Sequence, residues 1–129
     1  MPTVLDMLVE QENKMLRVMI CEDDMLQALD LASMVEQAGA SVCGIFSNGH
    51  EALKAAEELE PNIVLVDLTL ADGATGADVA FTLAGRGCRV IVLSGSNETN
   101  ATLCRISHCF VEKPAPAAVI QQVISAHAA

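Results

Sequence analysis

Six side chains in this 129-residue sequence could do chemistry together, and each stands at or just beyond the end of a short aliphatic run. Glu22-Asp23-Asp24 follow Leu16–Cys21, Asp67 closes Asn62–Asp67, Ser94 follows Arg89–Leu93, and Lys113 follows His108–Val111. Carboxylates brought into one crevice repel each other, and burying them unpaired costs several kcal/mol or forces protonation. A divalent cation removes that conflict. Carboxylate oxygens with carbonyls and water suit Mg²⁺, which keeps part of its hydration shell. The Lys113 ammonium on the opposite side and the Ser94 hydroxyl between them would complete a cradle for a tetrahedral anion. With the isolated carboxylate of Asp67 as its attachment point, the set describes an acyl phosphate. Asp67 is the nucleophile, Mg²⁺ and Lys113 neutralise the phosphoryl oxygens, and Ser94 donates a hydrogen bond.

The elements that must carry these groups alternate regularly. Five strands are expected at Leu16–Cys21, Ala40–Phe46, Asn62–Asp67, Arg89–Leu93 and His108–Val111. Between them, apolar residues recur at helical spacing: Leu31, Met34, Val35 and Ala38, then Ala52, Ala55, Ala56 and Leu59, then Val79, Ala80 and Leu83. Ile120, Val123, Ile124 and His127 line a last helix, while Asn97–Arg105 supports only a short one. Asn48 with Glu51 three residues on reads as a capping box, Thr75 as a helix cap, and Asp24 as a cap for the helix after the first strand. Continuously apolar strands joined by helices predict an α/β fold, a doubly wound five-stranded parallel sheet with helices on both faces. In such a sheet ligands bind at the carboxyl ends of the strands, where the six side chains fall.

Composition narrows the function. Seven Lys and Arg against 17 Asp and Glu give a net charge of −10, which repels phosphate backbones and anionic lipid, so neither nucleic acid nor membrane is an expected partner. No Trp, no Tyr and three Phe leave no stacking platform for bases. No apolar run approaches the about 20 residues that span a bilayer, and no basic segment precedes the apolar residues near the N-terminus as in a secretory signal. The five cysteines form no C-x-x-C pair and read as small core or surface thiols in a reducing compartment. His50, His108 and His127 are scattered without ligand spacing.

Each residue has an ordinary reading on its own. Asp67 could be a turn residue, Glu22 and Asp23 could favour a helix N-terminus, Lys113 and Ser94 could sit in solvated loops, and Phe110 could be core. The ordered set is more specific. The acidic pair Glu22-Asp23, Asp67 after NIVLV, Ser94 in VIVLSG and Lys113-Pro114 after Cys109-Phe110-Val111 resemble the receiver domains of two-component response regulators from about Leu16 to Ala126.

That resemblance implies a flavodoxin-like sheet of strand order 2-1-3-4-5, with residues 15–129 as the receiver domain and 1–14 as an N-terminal extension, tail or short helix. It implies phosphorylation of Asp67, Mg²⁺ held by Glu22, Asp23, Asp67 and the backbone carbonyl of Thr69, and a switch pair of Ser94 and Phe110. The Lys113–Pro114 bond would be cis. The phosphoryl donor would be a sensor histidine kinase or histidine phosphotransfer protein in a bacterial cytoplasm, and the output a downstream protein target or a homodimer. The chain would be a stoichiometric phosphoacceptor rather than an enzyme, acting alone, in a relay, or as a receiver excised from a longer protein.

Departures from the pattern are Ala71 where proline is usual, a loop through Gly73–Gly76 one residue longer, Ala115 where an aromatic is common, and a short segment between Ser94 and Phe110. The expected docking anchors are residues near Ala101–Leu103 and Ala115–Ala118. Two other readings stay open: a pseudo-receiver that only binds partners, and an aspartate-nucleophile phosphatase. The phosphatase needs a second acid two residues after its nucleophile, where this chain has Thr69.

Overall fold

Valine, isoleucine and leucine, with Met19 and Cys21, fill the three central strands because both faces of each strand are covered. The computed structural model describes residues 3–8, 16–95 and 102–128. Strands β1 (Arg17–Cys21), β2 (Ser41–Phe46), β3 (Ile63–Asp67), β4 (Arg89–Ser94) and β5 (Cys109–Glu112) form one sheet of order β2-β1-β3-β4-β5. All four pairings are parallel. Helices α1 (Met25–Gln37), α2 (Gly49–Leu59), α3 (Gly76–Gly85) and α4 (Ala117–Ala128) connect or follow them. This is the expected α/β fold and strand order, with strand ends shifted by a residue.

Side-chain alternation along the strands splits the core in two. Val18, Ile20, Ile63, Leu65, Ile91 and Leu93 face Leu31 and Val35 of α1 and Ile120 and Ile124 of α4. Met19, Cys21, Val64, Val66, Val90 and Val92 face Ala52 and Ala56 of α2 and Val79 and Leu83 of α3. Cys21 belongs to this second layer, and burial pushes its thiol up to about 12, the state of an inert core thiol. Among the described residues no helix is long and apolar enough to cross a membrane.

Capping follows the sequence at two sites and departs at a third. Asp24 Oδ1 accepts from the amides of Leu26 and Gln27 at 3.0 and 3.2 Å, and Asn48 Oδ1 accepts from Glu51 N at 2.8 Å. Thr75 sits at the cap position of α3 without capping it. Its hydroxyl donates instead to Asp72 Oδ1 at 2.6 Å, so the side chain is committed to the preceding loop.

Of the connection after β4, the described residues hold a 3₁₀ turn, Leu103–Arg105, before β5. The expected helix start at Asn97 and the anchor Ala101 lie outside the described residues. Leu103 is buried in the layer beside α3, so it is core rather than a docking anchor. Near the N-terminus residues 4–8 are helical and capped reciprocally. Thr3 N donates to Asp6 Oδ2, and Asp6 N donates to Thr3 Oγ1. Val4, Leu5 and Leu8 of the expected apolar face are exposed, and Gln11 lies outside the described residues.

Candidate functional site

Strand order alone makes β1 and β3 neighbours at the centre of the sheet and aims their carboxyl ends the same way. Glu22 and Asp23 leave the end of β1, and Asp67 is the last residue of β3. One carboxylate oxygen from each of the three lies within 4.8 Å of the other two. Asp24, the next residue, turns away to cap α1 and stays outside this cluster.

Lys113 arrives from the loop after β5. Its ammonium donates to Glu22 Oε2 and to Asp67 Oδ2, each at 2.5 Å. The Lys113–Pro114 peptide is cis, as the resemblance implied. The amide of Lys113 donates to the carbonyl of Ser94 at 2.9 Å, which ties the lysine to the end of β4. Ser94 is buried there.

The second carboxylate oxygens of Glu22 and Asp67 are also held. Glu22 Oε1 accepts from Asp24 N and Asp67 Oδ1 from Thr69 N, both at 3.1 Å. Thr69 is exposed, and its amide is what the structure brings to Asp67. Phe110 lies on β5 opposite Val92 and is 39% exposed.

The electrostatics are unbalanced. Among the described residues one ammonium, that of Lys113, meets the three carboxylates, and it pairs with Glu22 and Asp67. Burial raises the Glu22 carboxyl above its ordinary range, and the Lys113 hydrogen bond pulls against that shift. Burial would lower Lys113, but hydrogen bonds to Asp67 and Glu22 outweigh it and hold the ammonium above its usual value. A site with two uncompensated negative charges and oxygen-only donors suits a hard divalent cation. Glu22, Asp23 and Asp67 could therefore hold one.

Gly76 sets how tightly this end of the sheet closes. A Cβ there would lie 1.9 Å from the Asp67 carbonyl oxygen and 2.6 Å from Leu68 Cα. Only glycine lets α3 begin so close to the end of β3. The sequence shows this segment only as a loop through Gly73–Gly76 one residue longer than the family pattern. Nor does the sequence single out Asp72, whose carboxylate accepts from Gly49 N at 2.9 Å and from His50 N at 3.2 Å. Those partners are 22 and 23 residues away, so no local pattern announces them.

The sequence profile of the response regulator receiver domain matches residues 18–125. The chain belongs to that family. It is therefore a signalling module of two-component systems rather than an enzyme in the ordinary sense. It is 40% identical over 67 residues to the phyllosphere-induced regulator PhyR of Methylorubrum extorquens, covering 51% of this chain and 25% of that protein. It is 34% identical over 77 residues to the transcriptional regulatory protein PdtaR of Mycobacterium tuberculosis, covering 60% of this chain and 37% of that one. Each match thus spans well under half of the curated relative. The signal receiver domain of a modulated diguanylate cyclase from Desulfovibrio desulfuricans superposes with a TM-score of 0.75 at 31% identity, over 87% of this chain and 92% of that one.

Proposed function

We propose that this receiver accepts a phosphoryl group on Asp67 from a partner's phosphohistidine. A carboxylate oxygen of Asp67 attacks phosphorus, the N–P bond breaks, and the imidazole leaves with the bonding pair and takes up a proton. The observation that carries this reading is the Lys113 ammonium 2.5 Å from Asp67 Oδ2, beside a cluster of three acids at the ends of β1 and β3.

Each residue then has a task. Lys113 stabilises charge that builds on the phosphoryl oxygens, and Ser94 donates to one of them. Glu22, Asp23, Asp67 and the Thr69 carbonyl would hold Mg²⁺, which when bound neutralises phosphoryl charge as the new bond forms. Ser94 and Phe110 relay the change toward β5 and α4, where a downstream protein or a second copy would read it. The receiver unit is residues 15–129, with 1–14 as an extension, and its setting is the bacterial cytoplasm with a histidine kinase or phosphotransfer protein as donor. PhyR and PdtaR, both named as regulators, support a protein or regulatory output.

Mass spectrometry after incubation with acetyl phosphate and Mg²⁺ tests the proposal. The native chain should gain one phosphoryl group and Asp67→Asn none. Equal labelling of both would exclude Asp67 as the acceptor.

A further inference from the structure

The loop from Leu68 to Thr75 is fastened to a helix that contributes nothing else to the site. Leu70 and Gly73 close it into a tight turn through two hydrogen bonds, Leu70 N to Gly73 O at 2.8 Å and Gly73 N to Leu70 O at 3.0 Å. Gly73 has φ of +102°, a conformation that glycine adopts without strain. Leu70 is buried, so one side of the turn is pinned in the core. The other side reaches across to α2. Ala71 N donates to Ser47 O at 2.9 Å. Asp72 takes Gly49 N on Oδ1 and His50 N on Oδ2, and it also takes the Thr75 hydroxyl on Oδ1.

These bonds leave α2 capped from two sources. Its first three amides belong to Gly49, His50 and Glu51. Asp72 accepts the first two and Asn48 accepts the third. Asn48 is local to the helix, whereas Asp72 comes from the loop that follows the acceptor strand. A carboxylate at a helix N-terminus also meets the positive end of the helix dipole. The Thr75 hydroxyl and the helix amides hold its carboxyl down to about 2.

From this geometry we infer that Asp72 is a positioning residue for the acceptor site, anchoring the loop that carries the Thr69 amide and carbonyl to the N-terminus of α2. The inference rests on Asp67 being the acceptor, and it adds a residue that touches neither the acceptor nor a metal. The physical chain is short. Thr69 N holds Asp67 Oδ1, and Thr69 lies between the strand end and the Leu70–Gly73 turn. Releasing Asp72 frees the outer half of that turn, so Thr69 loses its fixed orientation toward Asp67. Groups that orient ligands one step removed from a metal or a reacting atom typically change affinity or rate by about tenfold or more when deleted.

The two caps of α2 supply the test. Asp72→Ala and Asn48→Ala both leave amides at the start of the same helix unpaired, so both should lower Tm. Only Asp72→Ala removes the side-chain tie between the acceptor loop and α2. With acetyl phosphate as donor, Asp72→Ala should slow phosphorylation by about tenfold and weaken Mg²⁺ binding similarly, while Asn48→Ala stays within about twofold of the native chain. Asp72→Asn keeps one carbonyl acceptor and should recover part of the rate. Hydrogen exchange, which needs no phosphorylation, should show faster exchange from Leu68 to Gly73 in Asp72→Ala but not in Asn48→Ala. Equal losses of rate in the two alanine variants, or no loss in either, would overturn the positioning role. Failure of the native chain to label would instead defeat the acceptor reading, and the role assigned to Asp72 with it.

Discussion

The two halves of the site end of the sheet are built differently. Around β1 and β3 the carboxylates of Glu22 and Asp67 have fixed partners on both oxygens. Glu22 is held by Asp24 N and Lys113, Asp67 by Thr69 N and Lys113, and the acceptor loop is fastened to α2 through Asp72. Toward β5 the construction is lighter. A three-residue 3₁₀ turn precedes the strand, held by Arg105 N to Thr102 O and Ile106 N to Leu103 O, both at 3.2 Å. Phe110, the largest side chain of that strand, keeps 39% of its surface exposed. Short 3₁₀ segments have poorer hydrogen-bond geometry than α-helices, and regions with few buried contacts open at lower free energy. On the proposed function, the chemistry that needs fixed distances falls on the first half and the face that would change falls on the second.

Breaking the rigid half at its charge bridge should give the largest effect. Lys113→Ala removes the ammonium that faces Glu22 and Asp67 and should slow phosphorylation by acetyl phosphate about 100-fold, measured as the rate of mass gain. Steric closure comes next. Gly76→Ala forces a methyl into the Asp67 carbonyl and should cost about 3 kcal/mol in urea denaturation, more than ordinary overpacking because the obstacle is backbone. Gly85→Ala, at the other end of the same helix, meets nothing within 4 Å and should be neutral or stabilise by about 0.5 kcal/mol. Similar costs at the two glycines would erase the contrast.

Acid should loosen the loop anchor, which is intact at neutral pH. The Asp72 carboxyl is held down to about 2 from an ordinary 3.8, so the folded state favours its charged form. Its contribution to stability is complete above that ordinary value and is lost as pH falls from 3.8 through 2. Thermal melts of the native chain and Asp72→Asn should therefore differ most near neutrality and converge across that window. A gap that widens on acidification would reverse the sign.

The smallest effect is expected on the lighter half. Phe110→Ala deletes a ring that is only partly buried and should cost less than about 1 kcal/mol, against the 3–5 kcal/mol typical of a core phenylalanine. Its labelling rate should match that of the native chain. A core-sized loss would place Phe110 in the structural interior.

Much of this was legible in the sequence because parallel strands and their ends are local. NIVLV announces a doubly covered strand, and the residue after it falls at the site by topology alone. The same logic delivered Glu22, Asp23, Ser94 and Lys113. What stayed hidden depends on contacts distant in sequence. Thr75 matched a local cap pattern, but Asp72 competes for its hydroxyl at 2.6 Å, and Asp72 in turn serves amides more than 20 residues earlier. The requirement for Gly76 likewise comes from the distance between α3 and the end of β3, which no spacing within the loop encodes. Leu103 looked like a surface anchor because its neighbourhood is apolar and small with few charges, and it is core because it packs into the layer beside α3.

Locating the phosphoryl group is the most direct test of the central claim. An aspartyl phosphate, unlike a phosphate on serine or threonine, is reduced by borohydride to homoserine. The chain should be incubated with acetyl phosphate and Mg²⁺, reduced, digested and sequenced by tandem mass spectrometry. The account predicts homoserine at position 67 and at no other aspartate, with none when Mg²⁺ is chelated. Homoserine at position 23 or 72, or equal conversion without metal, would contradict it.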